Sequence, residues 1–182
     1  MNDETRSLDT PEVEGLIRQL GERLQADLLR HGVSDPLMVG IHTGGVWVAD
    51  LLHRQLGLSE PLGVLDISFY RDDFTRIGMN PEVRPSDIPF DLEGRHVLLV
   101  DDVIQTGRTA RAALNELFDY GRPASVSLLV LVQRNGRELP IQPKLSALQL
   151  DQDAQVTLAG PAPLRLFIGH PKQVARAAGE AA

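Results

Sequence analysis

The stretch Val97–Ala110, VLLVDDVIQTGRTA, decides how the rest of the chain is read. Four apolar residues, Val97 to Val100, run directly into the adjacent acids Asp101 and Asp102. An unbroken apolar run matches a strand buried on both faces, whereas charged groups are costly beside a core. The acids therefore mark the end of a strand. A short loop carries one glycine flanked by hydroxyls and an arginine, and a helical pattern follows from about Thr109 to Tyr120, closed by Gly121. In an open α/β sheet, ligands bind beyond the carboxyl ends of the strands, and this order of elements puts two carboxylates at such an edge.

The loop has the make-up of an anion cradle. Backbone amides at the start of a helix point at a ligand, and the helix dipole adds to them. Thr106 and Thr109 offer hydroxyl donors, and Gly107 permits close backbone approach. Asp101 and Asp102 cannot ligate an anion themselves; they are placed to accept from sugar hydroxyls or to hold Mg²⁺ through water. A phosphate at one end, a diol in the middle and a metal nearby describe a sugar phosphate. Two other phosphate-binding signatures fail: the GxxxxGK[ST] loop needs a lysine, and the dinucleotide fingerprint needs three spaced glycines.

Working outward, strands and helices alternate. Thr10-Pro11-Glu12 reads as an N-cap hydroxyl, a proline at the first helical position and an early carboxylate. Val13, Leu16, Ile17, Leu20, Leu24 and Leu28 then form one apolar helix face, stopped at His31-Gly32. LMVGIH (37–42), GVLDISFY (63–70), VLLV and SVSLLVLV (125–132) have strand character, and VWVADLLHRQL (46–56) is helical, with Trp47 read as core. The expected architecture is α/β: a mostly parallel central sheet with helices on both faces. The segment 71–95 holds three prolines, two glycines, six carboxylates and four arginines with little periodicity, which suits a long lid loop or hairpin. The short pieces ALQLD, VTLAG and LRLFIG suit an edge extension or a small C-terminal flap. One domain over 1–182 is expected, with loose tails at 1–9 and 176–182.

Composition narrows the function classes. Net charge is −7, and only two of the 18 basic residues are lysines, Lys144 and Lys172, so a polyanion would need a local basic patch. There is no cysteine, which excludes disulfides and thiolate metal sites. His31, His53, His96 and His170 lack metal-ligand spacing. The polar start MNDETRSLDT lacks a secretory h-region, and no apolar run reaches the roughly 18 residues of a membrane span, so a cytoplasmic protein is expected.

VLLVDDVIQTGRT resembles the phosphoribosyl diphosphate (PRPP) motif of type I phosphoribosyltransferases. VGIHTGG (39–45), DISFYRDDF (66–74), RPSDIPFDLEGRHVLLVDDV (84–103) and YGRPASVSLLVLVQRNGRELPIQ (120–142) extend the likeness, colinearly over about residues 10–170, to the PyrR family of bifunctional pyrimidine operon regulators. The resemblance implies a type I phosphoribosyltransferase core with a lid and a C-terminal hood. It implies uracil phosphoribosyltransferase activity, uracil plus PRPP giving UMP and diphosphate with Mg²⁺ carried in by PRPP, and control of pyrimidine gene expression. By the same resemblance Asp101 and Asp102 contact the ribose, and Val103, Ile104, Gln105, Thr106, Gly107, Arg108 and Thr109 wrap the 5′-phosphate. The segment 132–137, with Arg134 and Arg137, faces the nucleobase; Thr43, Gly44 and Gly45 hold the diphosphate. Tyr70, Arg71, Asp72 and Asp73 form the base of the lid, and Arg84 lies over the diphosphate. Implied partners are PRPP, uracil, UMP and UTP, a pyrimidine operon leader RNA, and further copies of the chain in a homodimer or higher oligomer. Arg18, Arg23, Arg30 and Arg176 are the arginines an assembly would gather for RNA.

One departure stands out. Many family members carry K-T-R-G where this chain has His42-Thr43-Gly44-Gly45, so two fixed cations are absent. Two other functions stay open on the sequence: a UMP- or PRPP-sensing regulator with little turnover, and a purine-type phosphoribosyltransferase.

Overall fold

The computed structural model describes residues 5–67, 85–150 and 154–180. Its elements in chain order are β1 (Arg6–Leu8), α1 (Thr10–Arg30), β2 (Leu37–Ile41), α2 (Gly44–Leu56), β3 (Gly63–Leu65), β4 (His96–Ile104), α3 (Arg108–Asp119), β5 (Ser125–Arg134), β6 (Leu145–Leu150), β7 (Gln155–Ala159), β8 (Arg165–Gly169) and α4 (Pro171–Glu180). A five-stranded sheet in the order β3-β2-β4-β5-β6 is parallel at every pairing. A separate antiparallel sheet has the order β1-β8-β7.

The central strands are apolar throughout because both faces are covered. Successive side chains on a strand point to opposite faces. Leu98, Val100, Leu129 and Leu131 accordingly pack with Val13, Ile17, Leu20 and Leu24 of α1 and Val48, Ala49 and Leu52 of α2. Val97, Leu99, Leu128 and Val130 pack on the other face with Ala110, Ala112, Ala113 and Leu117 of α3. The small sheet joins the first cluster through Leu8, Val156, Leu158, Leu166 and Ile168.

Several boundaries differ from the sequence reading. Asp9, not Thr10, caps α1: its carboxylate accepts from Glu12 N at 3.1 Å, while Glu12 accepts from Asp9 N at 2.9 Å. Two reciprocal bonds outweigh one hydroxyl cap, and Thr10 Oγ1 instead donates to Leu164 O at 2.9 Å. The strand after Arg95 does not stop at Val100 but runs to Ile104, because Asp101, Val103 and Ile104 stay in register with Val130, Val132 and Gln133 of β5. GVLDISFY contributes only Gly63–Leu65 as strand; its last three residues, 68–70, lie outside the described set. The segments expected to be loose ends are partly ordered: Arg6–Leu8 pairs with β8, and residues 176–180 complete α4, whose Val174 is fully buried. Most of the expected lid, 71–84, lies outside the described residues. Its end is anchored: Asp87 bridges Val64, and Ser86 Oγ accepts from Asp66 N at 2.9 Å and donates to Glu116.

Strand order fixes where a ligand can sit. The chain runs from β2 outward to β3, then crosses to β4 on the other side of β2 and continues to β5 and β6. The direction reverses between β2 and β4, so the loops leaving their carboxyl ends diverge and open a crevice. His42-Thr43-Gly44-Gly45 leaves one, and Asp101-Asp102 belongs to the other.

Candidate active site

A cavity of about 330 Å³ opens at this switch point, lined by Asp101, Asp102, Val103, Ile104, Gln105, Thr106, Gly107, Thr109, Arg134, Gln155 and Val156. Asp101 is 5% exposed and Arg134 9%, so an acid and a base are both nearly enclosed at the strand ends. Such burial is costly without partners, and partners are present. Asp101 Oδ1 accepts from Asp102 N at 2.9 Å, and Asp102 Oδ1 accepts from Val103 N at 3.0 Å.

The loop between β4 and α3 is a short left-handed turn. Gly107 has φ of +92° and is the N-cap of α3, a conformation that costs an L-residue about 1–2 kcal/mol. Its carbonyl accepts from Arg111 N at 2.9 Å, and Thr106 Oγ1 accepts from Arg108 N at 3.2 Å. The other loop carbonyls face away from the cavity. Thr106 O accepts from Glu138 N at 3.0 Å and Leu139 N at 3.1 Å, and Gln105 O accepts from Arg137 Nη1. Carbonyl and N–H of a trans peptide point in opposite directions. Turning these carbonyls onto 137–139 therefore aims the amides of Thr106 and Gly107 into the cavity.

Against the acid pair packs the loop between β2 and α2. A Cβ on Gly44 would fall inside the contact envelope of the Asp102 carboxyl group, and one on Gly45 would sit 2.5 Å from Val100 O. Only glycine lets this loop, and the N-terminus of α2 behind it, approach the acid pair so closely. Thr43 Oγ1 and His42 Nδ1 share a hydrogen bond of 2.8 Å.

The structure gathers Asp101 to Gly107, Thr109 and Arg134 around one cavity and sets Gly44 beside Asp102 and Gly45 beside Val100 and Asp101, with Thr43 next in the chain. Arg108 and Arg137 stand apart from the lining: Arg108 Nε donates to Glu138 at 2.8 Å, and Arg137 lies beneath the loop. Tyr70, Arg71 and Arg84 lie outside the described residues. Gln155 and Val156 went unread in the sequence; QVTLA carries no local signal beyond strand propensity, and only the seating of β7 against β4 brings it to the cavity.

The donor set bears on a metal. Two neighbouring carboxylates are hard oxygen ligands suited to Mg²⁺ or its waters, but among the described residues no group of three or more His, Cys, Asp or Glu could hold an ion alone.

Comparisons with known proteins agree with this geometry. The family model described as "Phosphoribosyl transferase domain" matches residues 9–164. The "Bifunctional protein PyrR" of Pseudomonas aeruginosa PAO1 is 55% identical over 161 residues, covering 87% of this chain and 95% of that one. The chain belongs to the PyrR family. It is a phosphoribosyltransferase by its domain, and the protein of the same name from Pseudomonas putida W619 is 53% identical over 87% and 94% of the two chains. The fold recurs in a hypoxanthine phosphoribosyltransferase of Trypanosoma cruzi, with TM-score 0.69 and 22% identity over 97% of this chain and 96% of that one. It recurs too in a purine phosphoribosyltransferase of Pyrococcus horikoshii, with TM-score 0.58 and 25% identity over 77% and 83%. The family departure at 42–45 gains a structural reason: with glycine at 44, the Asp102 carboxyl occupies space a side chain would need.

Proposed function

We propose that this protein transfers the 5-phosphoribosyl group of PRPP to uracil, giving UMP and diphosphate, and regulates pyrimidine biosynthetic genes. The observation that carries the reading is the junction of two loops at one switch point: an amide-lined phosphate turn at 105–109 on one side of the acid pair, and Gly44-Gly45 on the other. That order matches a ligand with phosphate, ribose diol and diphosphate in line.

The chemistry follows from the placement. N1 of uracil bonds to the anomeric carbon as the bond from that carbon to the diphosphate oxygen breaks, and the N1 proton is lost. Positive charge develops on the sugar, and the carboxylates of Asp101 and Asp102 lie on the ribose side to stabilise it and orient the hydroxyls. The amides of Thr106 and Gly107 and the hydroxyl of Thr109 hold the 5′-phosphate, so the reacting carbon is fixed from one end while the α2 N-terminus takes the other. Positioning and electrostatics in a dry crevice supply most of the rate in such a transfer. Asp101 and Asp102 would hold Mg²⁺ brought in by PRPP, which would supply charge neutralisation at the departing diphosphate. Arg134 and Gln155 offer N–H donors to carbonyl oxygens of a pyrimidine.

Partners on this reading are PRPP, uracil, UMP and UTP in the cytoplasm, with the chain acting as a homodimer or higher oligomer. No helix among the described residues is long and apolar enough to cross a membrane. Arg18, Arg23, Arg30 and Arg176 are exposed, which leaves them open to leader RNA, and Arg23 donates to Ser146 O.

The test is UMP formation from uracil, PRPP and Mg²⁺, repeated with Asp101→Asn and Asp102→Asn and with hypoxanthine and guanine as competing bases. Turnover on uracil should fall at least about 100-fold in either variant, the scale of losing one preorganised charge at the reacting centre. Full activity in both variants would remove the acids from the mechanism, and a preference for a purine would overturn the choice of base.

A further inference from the structure

Arg137 poses a physical problem. Its guanidinium is partly buried, and desolvation lowers its pKa from the usual arginine value. Nε is buried and has no hydrogen-bond partner among the described residues. A buried N–H without a partner opposes stability, so its placement calls for a return elsewhere. Its Nη1 donates to the carbonyl of Gln105, on the phosphate turn.

The contacts around it form a floor. A Cβ at Gly107 would lie 3.5 Å from Leu139 Cβ and 3.6 Å from both Arg137 Cδ and Ile141 Cβ, ordinary packing distances, so 137–141 underlies the turn directly. Glu138 adds two ties, its amide to Thr106 O at 3.0 Å and its carboxylate to Arg108 Nε at 2.8 Å. The Arg108–Glu138 pair is more than half exposed on both sides and is a weak tie. The bond from Arg137 is charge-assisted and sheltered, and is therefore the strong one.

We propose that Arg137 is a positioning residue for the 5′-phosphate: it fixes the turn with its amides inward and strengthens them, without touching the ligand. This rests on the reading of the cavity as a phosphoribosyl site. Pulling on Gln105 O orients the Gln105–Thr106 peptide, so the Thr106 N–H is aimed at the phosphate before it arrives. The cation also polarises that peptide, which makes the N–H a better donor. A positive charge beneath the turn adds a favourable field across a short, water-poor distance. Together these supply a cationic phosphate site in a loop that presents no lysine.

The experiment compares Arg137→Met and Arg137→Lys with the unmodified full chain. Steady-state KM values are taken for PRPP and for uracil, and UMP affinity is measured by calorimetry. Arg137→Met should raise KM for PRPP and weaken UMP by a similar factor, about tenfold or more, with KM for uracil within about twofold. Arg137→Lys, which keeps a charged donor, should recover most of the loss. Loss of PRPP affinity with UMP unchanged would place Arg137 at the diphosphate end and overturn the proposal. So would an equal rise in both KM values, which marks a contact to the base or general loosening, or no change in any of them. Should Arg137→Met fail to fold, Arg137→Gln keeps the stem and an N–H donor, and the same comparison of PRPP, UMP and uracil applies. If the unmodified protein bound neither PRPP nor UMP, the reading of the site would fail instead, a result distinct from all of these.

Discussion

Gly45→Ala tests how tightly the two loops are pressed together. A Cβ there would lie 2.5 Å from Val100 O and 2.9 Å from Asp101 Cα, against an ordinary contact of 3.4 Å or more. The shortfall to the carbonyl is about 0.9 Å, and neither obstacle can swing aside as a side-chain tip would. Both belong to β4, which is paired with β2 on one edge and β5 on the other. The helix must therefore retreat, and with it Val48, Ala49 and Leu52, all fully buried. Overpacking of this kind costs about 1–3 kcal/mol, and movement of a rigid strand–helix contact belongs in the upper half of that range. For a chain of this size each kcal/mol lowers the melting temperature by about 2–4 °C, so a drop of about 4–12 °C is expected. The retreat also draws the β2–α2 loop, proposed to hold the diphosphate, away from Asp101 and Asp102, and a misplacement near 1 Å can cost about 100-fold in rate. Thermal unfolding and PRPP-dependent turnover read the two effects. Gly15→Ala in α1 is the control: its nearest neighbour would be Arg18 Nη2 at 3.8 Å, so helix propensity should raise stability by about 1 kcal/mol or a little less. A Gly45→Ala melting temperature within 1 °C of the unmodified chain, by roughly the sensitivity above, would refute the close approach.

Two more predictions concern stability. Asp9→Ala removes the capping box of α1 and should cost about 1 kcal/mol in urea unfolding, whereas Thr10→Ala should lose only its bond to Leu164 O; a larger effect at Thr10 would reverse the assignment of the cap. The Asp27 carboxylate is held below its ordinary pKa of 3.8, first by the hydrogen bond from Lys144 and further by charge from Lys144, His31 and Arg30, against desolvation. Because the folded-state pKa is depressed, the stabilisation is present above the unfolded value and is lost as pH falls through the folded one. Lys144→Ala should therefore flatten the decline in stability below about pH 4, the ordinary aspartate range; an unchanged acid limb in urea titrations would dismiss the pair.

The sequence by itself determined the type of fold and the local make-up of the turn proposed to hold the phosphate. Unbroken apolar runs such as Val97–Val100 are affordable only for strands covered on both faces, and the turn between β4 and α3 is built from residues adjacent in the chain, so its chemistry is local. The helix faces were legible for the same reason, since Val13, Ile17, Leu20 and Leu24 recur with the helical period. What only the tertiary structure decided is which distant segments share the crevice. The seating of β7 against β4 brings Gln155 to the cavity from roughly fifty residues away in the chain. The resemblance puts Arg137 at the nucleobase and nothing local singles out Glu138, yet the path from β5 to β6 ties both to the loop between β4 and α3. Asp101 and Asp102 marked the end of a strand in the sequence, but hydrogen bonding to β5 carries that strand on to Ile104, because ladder pairing is set by a neighbour rather than by local polarity. The reversal of strand order between β2 and β4, which opens the crevice, is a property of the assembled sheet alone.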